Sequence, residues 1–394
     1  MSASDTIAVP RSVEDITQPW VQQVFNKADP DVSITNVNIE GNIGEGQGYM
    51  NSLVAFVATG NKDSKEERHR LVAKLTSFQI MEEVDYMTVE DYLRMDTAES
   101  KFYSVAVPDL LSMLPASKGS EAMAEGEVVP VPKCYFATSD QTSKMSVRVM
   151  DNLKTQGFSI KPFPAQTLNL QEMKLAVGAL ARIHGLSHRL ELQSGVPLPD
   201  RYDWMMDLHG TKQQWYGSRA AYLEGVKAFA SAFPDATDLL ACLEKLNTVP
   251  TVNEAVKNPE KVKVLSHTDC WNNNIMFKYE DNKATDVKLV DWQTPSYRTP
   301  TFDLVVLFMY QSWDIFHNQR DAILEHYHQE LQKTLGEKKS IGLQLYTLDQ
   351  LKADFRADCA IGVFERVLFC SWLLPSQQPD LLKIVQEVKN WGVI

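Results

Sequence analysis

One stretch of the sequence, residues 265–293, constrains the fold more than any other. An apolar run leads to His267-x-Asp269, Asn274 follows the aspartate, and a second apolar run ends in Asp291. This order predicts short strands that deliver polar side chains into neighbouring loops. Phosphoryl transfer needs such a set, because one carboxylate accepts the proton of the attacking hydroxyl while an amide oxygen and a further carboxylate hold Mg²⁺. Two unrelated polar loops are the alternative.

A glycine-rich segment lies between two predicted strands near the start of the chain. It contains Gly44, Gly46 and Gly48. Glycines let backbone N–H groups approach phosphates closely. A dinucleotide-binding fingerprint would require a helix directly afterwards, whereas residues 53–57 are typical of a strand. An ordinary turn has the same composition, but ahead of the 265–293 stretch we interpret the segment as a flap over phosphates.

Lys74 lies one predicted strand after the glycines and shares a strand face with Val72. A lysine on an edge strand is usually solvated. In this position it is also suited to bind phosphates, with Val72 lining the ceiling of an adenine site. Glu99, on a predicted helix, is the candidate partner of Lys74. An exposed helical glutamate is the alternative, because that is the usual state of this residue type.

The order of predicted elements indicates an α+β fold with two lobes. Residues 1–30 form a polar lead-in and a short helix with one apolar face: Trp20, Val21, Val24 and Phe25. Residues 31–150 are mostly antiparallel β with one inserted helix at about 88–103, and are expected to form a small nucleotide-binding N-lobe. The apolar alternation of its first strand slips in phase between residues 34 and 37. Residues 151–394 are mainly helical, with Asn169 and Glu172 as a capping pair at the start of one helix, and are expected to carry the catalytic loop and the acceptor site. One strand pair, at 262–265 and 288–290, is predicted to interrupt the helices.

Charge and cysteine usage exclude several classes of partner and location. The net charge of −12 leaves no global basic surface for nucleic acid. No apolar stretch reaches the length of a membrane span, so no membrane insertion is expected. The five cysteines are widely spaced without a C-x-x-C pair, and the N-terminus does not resemble a secretory signal. We therefore predict a cytoplasmic protein, and no obligate protein partner is evident.

Taken together, the motifs resemble the choline/aminoglycoside phosphotransferase superfamily, and most closely its ecdysteroid-kinase-like branch of small-molecule kinases. The segments that carry the resemblance are 44–49, 71–74, 99–108, 150–158, 180–187, 265–291 and 303–304. It covers roughly residues 30 to 375. The resemblance implies a bilobal protein-kinase-like fold, with a small antiparallel-β N-lobe and a larger α-helical C-lobe, that binds ATP and Mg²⁺.

Roles for individual residues follow from this resemblance. Asp269 would be the catalytic base, and Asn274 and Asp291 would be the metal ligands of the catalytic set. Lys74 would hold the α- and β-phosphates of ATP, braced by Glu99.

The resemblance implies two further contacts, and both involve the backbone of this chain. The segment from Met150 to Asn152 would contact adenine, and Asp303 would anchor the catalytic loop. The chain has Thr268 where the branch usually has glycine, and we expect its geometry to survive because the hydroxyl can bond locally. Gln293 stands where protein kinases place glycine. Glutamine is usual there in this branch, and it argues against a glycine-permitted flip of Asp291.

The acceptor is expected to be a small-molecule alcohol. The interval from Asp291 to Asp303 is too short for the peptide platform of a protein kinase. Steroids, amino alcohols and specialised metabolites all fit. Asp203 and Asp207 are candidates to attract a cationic acceptor. Aromatic residues of the second lobe are candidates to line the pocket, although most are expected in the core: Trp204, Trp215, Tyr216, Trp271, Trp292, Tyr297 and Trp313.

Two rival functions stay open at the level of sequence. A nucleotide-binding pseudokinase would keep the same motifs without turnover, and Thr268 is its support. A metal-dependent hydrolase would use the aspartates and the asparagine, but it leaves Lys74 and the glycine-rich segment unexplained. His184 and His188 have a spacing that could share a metal, yet a structural histidine is the favoured interpretation of His184.

Overall fold

The computed structural model describes residues 7–43, 51–77, 88–114, 129–206, 219–247, 258, 260–336, 346–373 and 378–394. Within these ranges an antiparallel sheet lobe is followed by a mostly helical lobe, which confirms the predicted α+β, bilobal kinase-like fold. The predicted domain boundaries at residues 30 and 150 stay predictions.

The first lobe is built on a five-stranded antiparallel sheet with the order β1-β2-β3-β5-β4. Its strands are β1 (Ser33–Asn42), β2 (Asn51–Lys62), β3 (Lys65–Ser77), β4 (Cys134–Asp140) and β5 (Met145–Asp151). The predicted phase slip in β1 is a register shift between Ile34 and Asn36. Such a bulge moves the apolar residues back onto the buried face.

Helix α1 (Gln18–Ala28) covers one face of this sheet with the residues predicted for it: Trp20, Val21, Val24 and Phe25. The opposite face is covered by α2 (Val89–Lys101), which begins at a capping box of Thr88 and Asp91. The helical stretch predicted to end near Tyr103 continues through a π-helix (Phe102–Ala106) into α3 (Val107–Ser112). Because both faces are covered, Lys74 is buried rather than solvated.

The second lobe is a helical assembly around one large apolar core. Its helices are α4 (Leu170–Ser194), α5 (Leu198–Arg201), α6 (Arg219–Ala232), α7 (Thr237–Leu243), α8 (Thr301–Phe308), α9 (Trp313–His317), α10 (Arg320–Leu335), α11 (Leu348–Leu368) and α12 (Pro379–Asn390). The predicted capping pair of Asn169 and Glu172 starts α4, and Gly336 ends α10 with a positive φ of 73°.

Two small sheets carry the motif residues of this lobe, and here one prediction is wrong. The strands expected to pair with each other lie in different sheets. Strand β7 (Val264–Ser266) pairs with β10 (Ser296–Arg298). Strand β9 (Lys283–Leu289) pairs instead with β8 (Ile275–Glu280), which also pairs with β6 (Phe158–Ile160). The hairpin turn between β8 and β9 favours this local pairing over the distant one.

Candidate active site

The loop after β7 is held by a buried aspartate. Both oxygens of Asp303 accept backbone hydrogen bonds, from His267 N at 2.8 Å and Thr268 N at 2.7 Å. Thr268 has a positive φ of 63°, a conformation that β-branched residues rarely adopt. Its hydroxyl donates to the backbone oxygen of Thr294 at 2.5 Å. The local hydrogen bond expected for Thr268 is therefore present, and it offsets the strain of the turn.

Asp303 is itself oriented from helix α4. Nε2 of His184 lies 3.0 Å from Oδ2 of Asp303, and Nδ1 of His184 lies 2.8 Å from the hydroxyl of Tyr327 on α10. The side chains of His184 and Asp303 are fully buried. His184 therefore has a structural role, linking two helices to the loop, and the described residues contain no cluster of three or more potential metal-ligating His, Cys, Asp or Glu residues.

Asp269 and Asn274 contact each other directly, as their spacing predicts. A 3₁₀ turn (Asn272–Asn274) brings the amide of Asn274 back, so that Nδ2 donates at 2.8 Å both to the backbone oxygen and to Oδ2 of Asp269. Burial, together with the nearby charge of Asp291, raises the pKa of Asp269 to about 8, although the hydrogen bond from Asn274 opposes the rise.

Lys74 joins the two lobes through ion pairs. Its Nζ lies 2.9 and 2.8 Å from the two carboxylate oxygens of Glu99, and 2.6 Å from Oδ1 of Asp291. Burial alone would lower the pKa of Lys74, but the two carboxylates outweigh it and raise this pKa. Burial alone would raise the pKa of Asp291, but Lys74 outweighs this effect and lowers the pKa. Glu99 is buried, so the exposed alternative for this residue is excluded.

One further contact holds the Asp291 segment against the π-helix that follows α2. Asp291 has a φ of 64°, a left-handed conformation that aspartate tolerates better than most residues. The next residue, Trp292, is fully buried and stacks on Phe102 with ring centres 3.9 Å apart and planes 5° apart. The stack connects the chain segment after Glu99 with the segment that carries Asp291, and it was not predicted.

Arg148 is a second residue that sequence reasoning missed. It lies opposite Lys74 in the β3–β5 register and is fully buried. Its guanidinium contacts Asp96 at 2.6 Å and Glu99 at 3.3 Å. The alternation of Ser146 and Arg148 with apolar neighbours signals a polar face in β5. Only the pairing of strands far apart in sequence shows that this face lies beside Lys74.

The predicted adenine-contacting segment, Met150 to Asn152, lies at the end of β5, and its contact with adenine stays a prediction. Val72 and Met150 face each other across β3 and β5. The backbone of Asn152, however, is already engaged, since its N–H donates to Arg70 at 2.9 Å and its oxygen accepts from Thr155. The buried Oδ1 of its side chain has no hydrogen-bond partner among the described residues. The side chain, rather than the backbone, is therefore the part of Asn152 left to bind a ligand.

The glycine-rich segment containing Gly44, Gly46 and Gly48 lies outside the described residues. Its flanking strands are described, and β1 and β2 pair up to Asn42 and Val54. The segment therefore connects two antiparallel strands, at the position predicted for a flap.

Where the structure describes them, the aromatic residues suggested for the acceptor pocket do not form one cluster. Trp204 packs on Tyr202, Trp313 stacks on His317, and Trp292 is in the core. Trp271 lies two residues after Asp269, on the loop after β7. Tyr297 donates a hydrogen bond to Glu191. Trp215, Tyr216 and Asp207 lie outside the described residues.

A sequence model of the ecdysteroid kinase-like family matches residues 45–340, which is more than half of the chain. The chain belongs to the ecdysteroid kinase-like family. The family match contains Lys74, Glu99, Asp269, Asn274 and Asp291. No curated protein matches the chain. The resemblance inferred from the motifs is therefore confirmed at the level of the family.

Solved structures with a similar arrangement are phosphotransferases, although the likeness is distant. An ethanolamine kinase from Plasmodium vivax is 12% identical, with a TM-score of 0.43, over 98% of this chain and 89% of its own. The GDP complex of an aminoglycoside 2'-phosphotransferase-IIIa is 12% identical, with a TM-score of 0.35, over 95% and 98%. A macrolide 2'-phosphotransferase type I is 13% identical, with a TM-score of 0.37, over 97% and 98%. At these scores the likeness carries no argument about chemistry.

Two other findings bear on the sequence predictions. No helix in the described ranges has the length and apolar character needed to cross a membrane. All five cysteines are free thiols.

Proposed function

We propose that this ecdysteroid kinase-like protein is an ATP- and Mg²⁺-dependent phosphotransferase that moves the γ-phosphate of ATP to a hydroxyl of a small-molecule alcohol. One observation carries the proposal. Lys74 is paired at once with Glu99 and with Asp291, while Asp269 and Asn274 lie in contact on the adjoining loop. These five side chains come from three separate parts of the sequence and provide the groups that phosphoryl transfer requires.

The nucleotide would lie between the lobes. Lys74 supplies a charge for the α- and β-phosphates, and Glu99 keeps it extended. Val72 and Met150 offer an apolar surface to adenine, and the buried Oδ1 of Asn152 can accept a hydrogen bond from it. Gly44, Gly46 and Gly48 are proposed to cover the phosphates from the flap.

Asn274 and Asp291 suit Mg²⁺ by their chemistry. Both offer hard oxygen ligands, and this ion keeps several waters and needs few protein ligands when phosphates are present. The amino group of Asn274 faces Asp269, so its amide oxygen is the atom left for a cation. The Asp291 side chain is 36% exposed and can be reached from solvent. A bound Mg²⁺ would neutralise charge on the phosphates.

Asp269 would accept the proton of the acceptor hydroxyl. Asn274 holds its Oδ2, which leaves Oδ1 to face the acceptor. Asp303 and Thr268 keep the loop in place without touching the reacting atoms. Most of the rate would come from positioning and preorganised charge, because the chemistry itself asks little of the protein. The free cysteines support the cytoplasmic location predicted above.

The test is transfer of labelled γ-phosphate from ATP, with Mg²⁺, to a panel of steroids, amino alcohols and indole alcohols. Asp269→Asn should abolish transfer while ATP still binds. Asp281→Asn is the matched control, because Asp281 lies in the exposed turn between β8 and β9, and transfer should be unchanged. ATP binding without transfer to any acceptor by the wild type would favour the pseudokinase. Loss of ATP binding in Asp269→Asn would contradict the assigned role.

A further inference from the structure

A buried arginine lies outside the machinery described so far. Arg366, in the last turn of α11, has no exposed surface, and its Nε and Nη2 have no hydrogen-bond partner among the described residues. Nη1 lies 3.7 Å from the sulfur of Cys370, which is a weak acceptor. Burying a charge without a hydrogen-bonded partner is costly. Within the part of the chain that the structure describes, Nε and Nη2 of Arg366 are therefore available to bind a ligand.

The guanidinium lies against aromatic rings that lead to the catalytic loop. Its central carbon is 5.5 Å from the ring centre of Phe163 and 5.2 Å from that of Tyr310. The ring of Tyr310 lies 5.1 Å from Phe163 and 5.4 Å from Trp271, centre to centre. We call Phe163, Trp271 and Tyr310 the aromatic wall. Because Trp271 follows Asp269 closely in the chain, the wall extends from the catalytic loop to Arg366.

Tyr310 contacts both Trp271 and Arg366, and charges at both ends of the aromatic wall act on its hydroxyl. Burial raises the pKa of its hydroxyl, Arg366 opposes the rise, and Asp269 and Glu365 add to it. Tyr310 is thus within electrostatic reach of both Asp269 and Arg366. Glu365 precedes Arg366, but consecutive helical residues do not share a face. Its carboxyl lies instead in the field of Asp269 and Arg298.

We propose that Arg366 selects the acceptor, an inference that rests on the proposed function. The acceptor is an elongated, apolar alcohol that packs along the aromatic wall, where the Phe163 ring stands at 85° to Tyr310 and at 74° to Trp271. Its hydroxyl lies at Asp269 and a carbonyl or carboxylate oxygen lies at Arg366. Two free N–H groups suit such an oxygen. A cationic amino alcohol is disfavoured, because the guanidinium already lies over the faces of Phe163 and Tyr310 that would attract a cation.

The experiment compares two probes of equal shape and opposite charge. They are 6-(hydroxymethyl)-2-naphthoate and 6-(aminomethyl)-2-naphthalenemethanol, and calorimetry measures their dissociation constants for the full chain. We expect the carboxylate to bind the wild type at least about tenfold more tightly, as for one charge-assisted hydrogen bond. Arg366→Gln should remove this preference. Arg366→Lys should reduce it while keeping its direction, because lysine keeps the charge without the planar fork.

Three results would overturn the inference. They are a preference of the wild type for the ammonium probe, no binding of either probe at millimolar concentration, and a preference that persists in Arg366→Gln. If Arg366→Gln does not fold, as judged by its melting temperature, the test passes to Arg366→Lys. An unchanged ratio of the two dissociation constants in Arg366→Lys would then overturn the inference. Since binding is the readout, failure of phosphoryl transfer would count against the proposed function and not against Arg366.

Arg320 provides a matched control. It also lies over aromatic rings, with its central carbon 4.9 Å from the ring centre of Trp391, but its guanidinium is paired with Glu387 at 2.9 Å. Arg320→Gln removes a stacked arginine from another part of the lobe and should leave the ratio of the two dissociation constants unchanged. A shift like that of Arg366→Gln would show that the ratio reports general damage to the lobe, which also overturns the inference.

Discussion

Replacing Arg148 by methionine tests how the buried charges beside Lys74 are balanced. The guanidinium is within 2.6 Å of Oδ1 of Asp96, 2.9 Å of the hydroxyl of Ser100 and 3.1 Å of that of Thr76, and it lies 3.3 Å from Glu99. Methionine has a similar length but no charge and no donor. The variant therefore leaves buried carboxylates without their cation while filling much the same space.

The expected loss of folding free energy depends on which interactions of the buried carboxylates remain in Arg148→Met. Removing one partner of a buried ion pair typically costs about 3–5 kcal/mol. Lys74 still pairs with Glu99, and the hydroxyl of Ser146 still donates to Asp96 at 2.7 Å. We therefore expect the lower end, about 3 kcal/mol. In the double variant Arg148→Met/Asp96→Leu the stranded carboxylate is gone as well. Its cost should fall short of the sum of the single costs by about 2 kcal/mol.

Urea unfolding of the full chain measures these differences from the shift in midpoint. Arg68→Met is the control, because Arg68 lies on β3 with its side chain 69% exposed and pairs only at the surface with Glu66. It should not shift the midpoint measurably. A cost below about 1 kcal/mol for Arg148→Met, or additive costs in the double variant, would refute the reasoning.

Further predictions concern glycines and a buried carboxyl. A Cβ on Gly225 would overlap the backbone oxygen of Val367, so Gly225→Ala should destabilise by about 3 kcal/mol. Gly178→Ala should instead stabilise by about 1 kcal/mol, since the nearest atom is 3.6 Å away; equal effects in thermal unfolding would contradict both. Burial, with Asp269 adding, raises the pKa of Glu365 well above its usual value. A carboxyl group whose pKa is raised in the folded state contributes its full stabilisation of the fold at low pH. This contribution is lost as the pH rises through the raised pKa. The melting temperature of Glu365→Gln relative to wild type should therefore be higher at pH 8 than at pH 5, and a difference independent of pH would rule this out.

Local spacing was enough to predict much of the candidate site. Asp269 and Asn274 meet because one 3₁₀ turn joins them, and turns of this kind depend on adjacent residues. The capping pair of Asn169 and Glu172 was found for the same reason. Lys74 and Glu99 were paired through the resemblance to a known family, and the structure places them in contact.

Contacts between distant segments were beyond sequence reasoning. Arg148 reaches Lys74 only because β5 inserts next to β3, and nothing in β5 alone specifies its neighbour. The mistaken pairing of the strands at 262–265 and 288–290 has the same cause, since periodicity predicts a strand but not its partner. Arg366 likewise meets Phe163 through packing of helices and loops far apart in the chain.

The stack of Phe102 on Trp292 bears on the design of inhibitors. A compound that required Asp291 to swing away from Lys74 would have to take its neighbour Trp292 along. Here that movement would pull a fully buried indole off its partner ring and into water. For the phosphotransferase proposed above, inhibitors that leave Asp291 in place are therefore the better starting point.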